Sequence, residues 1–115
     1  MDEEHISYWL KSAEHDFETA QSLYEVAWYD WCLFVGHLVL EKVLKAIFVK
    51  RNDNQIPPKT HSLVRLAELC NINLDLELKI TLDRINDFNL ETRYPNYKLD
   101  FYKIKEILTT GVRLV

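Results

Sequence analysis

The densest set of chemically able side chains is Asn89-Leu90-Glu91-Thr92-Arg93-Tyr94-Pro95-Asn96-Tyr97. A guanidinium such as that of Arg93 holds a phosphate through two parallel hydrogen bonds. Tyr94 and Tyr97 offer rings that stack on a base and hydroxyls that accept a modification. The same residues also have a structural use. Pro95 turns the chain, Arg93 bonds carbonyls at a helix end, and the tyrosines pack against neighbouring helices. A second set is His37, Glu41, Lys42 and Lys45. His37 and Glu41 stand four apart, which on a helix puts them on one face and within reach. Such a pair either ties a bundle together or acts as a catalytic dyad. Glu41 and Lys45 repeat the spacing in the favourable order. These charges either lie solvated on a helix surface, or Lys42 and Lys45 present cations to a phosphate.

Other chemistries lack their residues. His5, His15, His37 and His61 form no H-x-x-x-H pair and no H-E-x-x-H motif, so no metal site is expected. Cys32 and Cys70 stand alone, without a C-x-x-C. Cys32 lies in an apolar run and reads as a buried thiol. Two glycines, Gly36 and Gly111, cannot build a glycine-rich phosphate loop. No Ser/His/Asp arrangement and no close carboxylate pair stands out, and no cofactor is implied.

The elements that must position these residues are helices. In about 3–26, Trp9, Ala13, Phe17, Ala20 and Tyr24 recur at three- and four-residue spacing. An aromatic break follows at Trp28, Tyr29 and Trp31. In about 30–51 the ten residues after Asp30 are apolar on all sides apart from His37. A helix of that kind sits inside a bundle or is shared with a second subunit. Asp30 is its expected N-cap, and Lys50-Arg51 suits its C-terminus. Asn52 to Lys59 reads as a loop, and about 61–70 as a short helix with Thr60 as a possible cap.

Ile72, Leu74, Leu76, Leu78, Ile80 and Leu82 alternate with polar residues, which is a strand period. Most of this stretch is nevertheless expected to be helix. No second strand candidate exists to pair with it, and a lone strand leaves its backbone groups unsatisfied. From Leu78 onward, Leu82, Ile85 and Phe88 give a helical register that stops before Pro95. The last helix, about 99–115, aligns Phe101, Ile104, Leu108, Val112 and Val115 on one face.

At 115 residues the chain is expected to form a single domain, 1–115, an all-α, up-and-down bundle of four long helices plus one short helix. Two Gly and three Pro are too few for the turns of an all-β domain of this length. The net charge of −4 and a pI near 5.5 argue against a broadly basic face for duplex nucleic acid. Met1-Asp2-Glu3-Glu4 is acidic where a signal peptide is basic, and the central uncharged run, Trp31 to Leu40, is too short to span a bilayer. A cytoplasmic protein with no membrane partner is expected, one that self-associates and carries an Arg/Tyr-rich corner.

Several pieces, in this order and spacing, resemble the HEPN domain family. They are Trp9, Ala13-Glu14-His15-Asp16 and Ala20, then His37-Leu38-Val39-Leu40-Glu41-Lys42-Val43-Leu44-Lys45-Ala46. Pro58-Lys59-Thr60-His61-Ser62-Leu63 and Thr92-Arg93-Tyr94-Pro95-Asn96-Tyr97 follow. The resemblance implies a helical bundle that forms a homodimer. It also implies a minimal nucleotidyltransferase as partner, the pair resembling a toxin–antitoxin module, and it favours helix for residues 72–82.

Many HEPN toxins are metal-independent ribonucleases with an R-x4-6-H motif. Here Lys98, Leu99 and Asp100 occupy the permitted His positions after Arg93, and no other Arg is followed by a suitably placed His. The leading expectation is therefore a non-catalytic partner that binds nucleotide or RNA through Arg93, Tyr94 and Tyr97, with Lys42 and Lys45. In similar modules the transferase places AMP on a tyrosine. Tyr97 is the candidate acceptor, with Tyr94 and Tyr102 behind it. The alternatives are a ribonuclease toxin with an atypical site around Arg93 and a dimeric scaffold with no ligand.

Overall fold

The structure, a computed structural model, describes residues 2–53, 55–86 and 97–114. It contains α1 (Asp2–Glu25), α2 (Tyr29–Arg51), α3 (Leu63–Leu69), α4 (Leu76–Asn86) and α5 (Tyr97–Arg113). The described residues hold no strand, and the chain is the all-α bundle its periodicity predicts.

Helix α2 is the axis of the bundle. Val39, Leu40, Val43, Ala46, Ile47 and Val49 are all buried. Fully burying a side chain of Val, Leu or Ile contributes roughly 1.5–3 kcal/mol. Helix α1 lies antiparallel along α2 and seals it with Ala13 and Ala20, both fully buried. Phe17 and Tyr24 of α1 stack on Phe101 of α5, with ring centroids 5.7 and 4.7 Å apart. The start of α2 is different. Trp28 and Trp31 are 62% and 51% exposed, so this chain does not wrap its aromatic break.

The chain's two glycines both stand where α2 meets α5. A Cβ on Gly36 would overlap Ile104 Cδ1, and one on Gly111 would overlap Val43 Cγ1. The pairs 36–104 and 43–111 advance together, so α2 and α5 run in the same direction at close range. Gly is used here for approach rather than for backbone freedom. The left-handed positions after helix ends fall instead to Ala27, Asp53 and Asn71. At two of them the closing bonds have Schellman form: Trp28 N–H to Leu23 O at 2.9 Å, and Ile72 N–H to Ala67 O at 3.1 Å.

The alternation across residues 72–82 resolves by register. Ile72 and Leu74 precede the helix and pack on the core from a loop. Within α4, Leu82 and Ile85 are buried and Leu78 packs against them, while Leu76 and Ile80 are 73% and 57% exposed. Leu76 and Ile80 are four apart and share the outer face, so a two-residue period becomes a helical one. Asp75 starts the helix, its Oδ1 accepting from Leu78 N–H at 2.7 Å.

Two expected caps differ. Trp28, not Asp30, occupies the N-cap of α2 and makes no side-chain capping bond. Asp30 falls in the first turn, where a carboxylate still favours the positive end of the helix dipole. Ser62 caps α3, accepting from Arg65 N–H at 3.3 Å, while Thr60 Oγ1 accepts from Ser62 N–H. Helix α5 also begins two residues earlier than its apolar face suggests, at Tyr97. Among the described residues, no helix is long and apolar enough to cross a membrane.

Candidate functional site

The antiparallel packing of α1 and α2 brings polar residues from both helices together. Lys42 Nζ donates to Ser12 Oγ at 2.7 Å and to Asp16 Oδ2 at 2.6 Å. Ser12 and Asp16 are four apart on α1, so one ammonium reaches both. Lys42 is thus already neutralised, and it takes a phosphate only by exchanging Asp16.

One residue earlier on α2 lies a second, deeper cluster. Glu41 is buried, and its two oxygens have different partners. Oε2 accepts from Lys45 Nζ at 3.1 Å, and Oε1 accepts from His61 Nδ1 at 2.8 Å. Lys45 is buried too, with its ammonium 5.4 Å from the centroid of the Trp9 ring. A cation over an indole face gains further attraction once desolvated. The buried Trp9 Nε1 has no hydrogen-bond partner among the described residues.

His61 is the residue the local spacing rule does not find. It lies 20 positions from Glu41, in the loop before α3. From Glu41 the helix climbs about 15 Å to Arg51 at 1.5 Å per residue. The extended stretch through Pro57 and Pro58 is long enough to bring the chain back down that distance. A loop of that length beside a helix is the local sequence signal for the contact. Two bonds fix the return. Glu41 holds the ring, and His37 Nε2 donates to the His61 carbonyl at 3.1 Å. His37 and Glu41 therefore belong to one polar cluster, joined through His61.

The arrangement has chemical consequences. A carboxylate facing Nδ1 keeps the proton on that nitrogen, which leaves the lone pair of a neutral imidazole on Nε2. The His61 side chain is 79% exposed, so that nitrogen is open to a substrate. A buried carboxylate orienting an exposed imidazole is the geometry of a general base.

The Arg/Tyr corner is flanked by the described elements. Arg93 and Tyr94 lie outside the described residues, and Tyr97 opens α5 without a described side chain. The two helices on either side are joined, because Arg84 of α4 pairs with the buried carboxylate of Asp100 of α5. Burial pushes the Asp100 carboxyl above its ordinary value, and Arg84 and Lys103 pull it back. Tyr102 on α5 is 61% exposed.

Both cysteines are buried, and burial pushes their thiols up to about 12 for Cys32 and about 11 for Cys70. The Cys70 thiol donates to Leu44 O at 3.2 Å. Neither supplies a thiolate nucleophile near neutral pH. No three His, Cys, Asp or Glu side chains converge on a metal position among the described residues.

The chain matches no curated protein and no solved structure. Residues 6–114 match the HEPN domain. The match takes in nearly all of α1, both polar clusters, the Arg/Tyr corner and the whole of α5, and the chain therefore belongs to the HEPN domain family, whose functions are nucleotide- and RNA-related.

Proposed function

We propose that this HEPN domain is the nucleotide- or RNA-binding partner of a minimal nucleotidyltransferase, working as a homodimer in a two-gene, toxin–antitoxin-like module. The family match across residues 6–114 carries the reading. Arg93 contacts phosphate, and Tyr94 and Tyr97 contact the base or ribose. Tyr97 is the AMP acceptor. Lys42, with 24% of its side chain exposed, adds a cation from the α1–α2 face by exchanging Asp16 for the phosphate, while Lys45 supports the cluster from beneath.

The test pairs binding with isolation. Titration of wild type with ATP, GTP and short single-stranded RNA is expected to saturate. Arg93→Ala is expected to weaken binding about 10–100-fold, the loss of one charge-assisted contact, with the melting temperature unchanged. A native pull-down from the host is expected to bring down a small nucleotidyltransferase. It is also expected to show an AMP-sized mass increment that Tyr97→Phe abolishes. Wild type that binds none of these ligands at low salt, and elutes without partner or adduct, sinks the proposal.

A second reading, a metal-independent ribonuclease, is favoured by the His61–Glu41 pair. It supplies an imidazole where the R-x4-6-H spacing has none. RNA cleavage in the presence of chelator is then expected to fall at least about 100-fold in His61→Gln, the usual worth of a general base. Equal cleavage by wild type and His61→Gln eliminates this site.

A further inference from the structure

A cavity of about 340 Å³ opens between α2, α4 and α5, and His61 is not among the residues that line it. Its floor is the buried face of α2, at Leu40, Val43, Leu44 and Ile47. Leu78 and Ile107 form facing walls. The register of α4 leaves this space open. Leu76 and Ile80 point outward, while the small side chain of Thr81 and the bare backbone of Gly111 face in. The volume lies in the range of small-molecule sites and suits an apolar body of roughly ten to fifteen heavy atoms.

The mouth is charged, and unevenly. Among the described residues, its ionisable lining is Asp75, Glu77 and Glu106 against one cation, Lys103. Lys103 Nζ lies 3.8 Å from Glu77 Oε1, so that charge is already matched. Two carboxylates remain over the opening of an apolar pocket, in a chain whose net charge is −4. An anionic headgroup is repelled there and a cationic one is attracted.

We propose that this cavity binds a small amphiphilic cation, an alkyl or aryl body carrying an amine or quaternary ammonium group. The apolar part lies on Leu40, Val43 and Ile47, and the head lies between Asp75 and Glu106. The proposal is independent of nucleotide binding at the Arg/Tyr corner.

The probes are decyltrimethylammonium and decyl sulfate, each titrated below micelle formation into the full chain and followed by amide chemical shifts and calorimetry. Decyltrimethylammonium is expected to saturate one site, with shifts concentrated at Leu78, Ile107 and Gly111. Decyl sulfate is expected to bind at least about tenfold more weakly. Glu106→Lys, a surface change that spares the core, is expected to weaken the cation about tenfold and narrow that difference. Thr81→Leu fills the pocket and is expected to weaken both probes. Equal affinity for the two probes, shifts scattered over the surface, or binding unmoved by both variants overturns the proposal. The same shifts appearing on raising protein concentration without any probe also overturn it, because the occupant is then a second copy of the chain.

Discussion

Glu41→Ala is expected to destabilise the fold by about 3–5 kcal/mol, the usual cost of removing one partner of a buried ion pair. The reason is Lys45. Only 11% of its side chain is exposed, so its ammonium has no ready route to bulk water. The Trp9 ring at 5.4 Å replaces only a fraction of a lost carboxylate. His61 loses its anchor in the same step, and the loop before α3 then hangs on the His37 bond. For a domain of this size the loss corresponds to a fall in melting temperature of roughly 10–20 °C. Glu41→Gln keeps an acceptor for His61 and leaves the ammonium unmatched, so it is expected to fall in between. The decisive variant is Glu41→Leu with Lys45→Met. Replacing a buried pair by apolar groups of similar size is often neutral, so the double variant is expected to regain most of the stability lost by Glu41→Ala. Urea denaturation of Glu41→Leu, Lys45→Met and the double gives the coupling directly. A double variant as unstable as the single places the cost in packing and not in the stranded charge.

How far a sequence exposes these features depends on the distance between the interacting residues. The course of α2 is legible because most residues from Cys32 to Val49 are apolar and the helix is buried on most sides. The Glu41–Lys45 pair is legible for the same local reason, being one helical turn apart. The 72–82 stretch is legible by elimination, by the register from Leu78 onward and by the family resemblance, not by its own period. Its residues alternate in polarity, and nothing in the alternation says that Leu76 and Ile80 will face solvent. That outcome is set by Asp75, which starts the helix and fixes its phase. His61 lies further beyond local reading. Its tie to Glu41 spans a loop and 20 residues, so helical spacing joins Glu41 to His37 and passes over His61. The caps follow the same logic. Asp30 has the right chemistry for an N-cap, yet the Schellman closure after α1 delivers Trp28 to that position. The sites proposed at Arg93 and Tyr94 rest on their residue types and the family pattern, since they lie outside the described residues.

Arg84→Met is expected to destabilise the fold at neutral pH and to do so less as the pH falls. Asp100 is buried, and burial holds its carboxyl above the ordinary value of 3.8 against the pull of Arg84 and Lys103. A carboxyl raised in the folded state binds its proton more tightly there than in the unfolded chain. Its contribution to stability is therefore fully present below the unfolded value and is lost as pH rises through the folded one. Arg84 offsets part of that loss at neutral pH. Without it, Asp100 keeps only Lys103 nearby and its carboxyl moves further up. The Arg84 side chain is 41% exposed, so its removal is expected to cost about 2 kcal/mol at neutral pH, less than a fully buried partner would. Below the ordinary value, Asp100 is mostly protonated in both folded proteins, and most of the difference from wild type is expected to vanish. Urea denaturation of both proteins across that range measures the slope, and adding Asp100→Asn to Arg84→Met is expected to flatten it. A difference that stays constant with pH assigns the cost to lost contacts of the Arg84 side chain instead. The pair also joins the two helices that flank residues 87–96. If the Arg/Tyr corner binds phosphate as proposed, untying α4 from α5 weakens that binding at neutral pH. The difference from wild type then closes with acid along the same curve as the stability, because wild type also loses the ion pair once Asp100 is protonated.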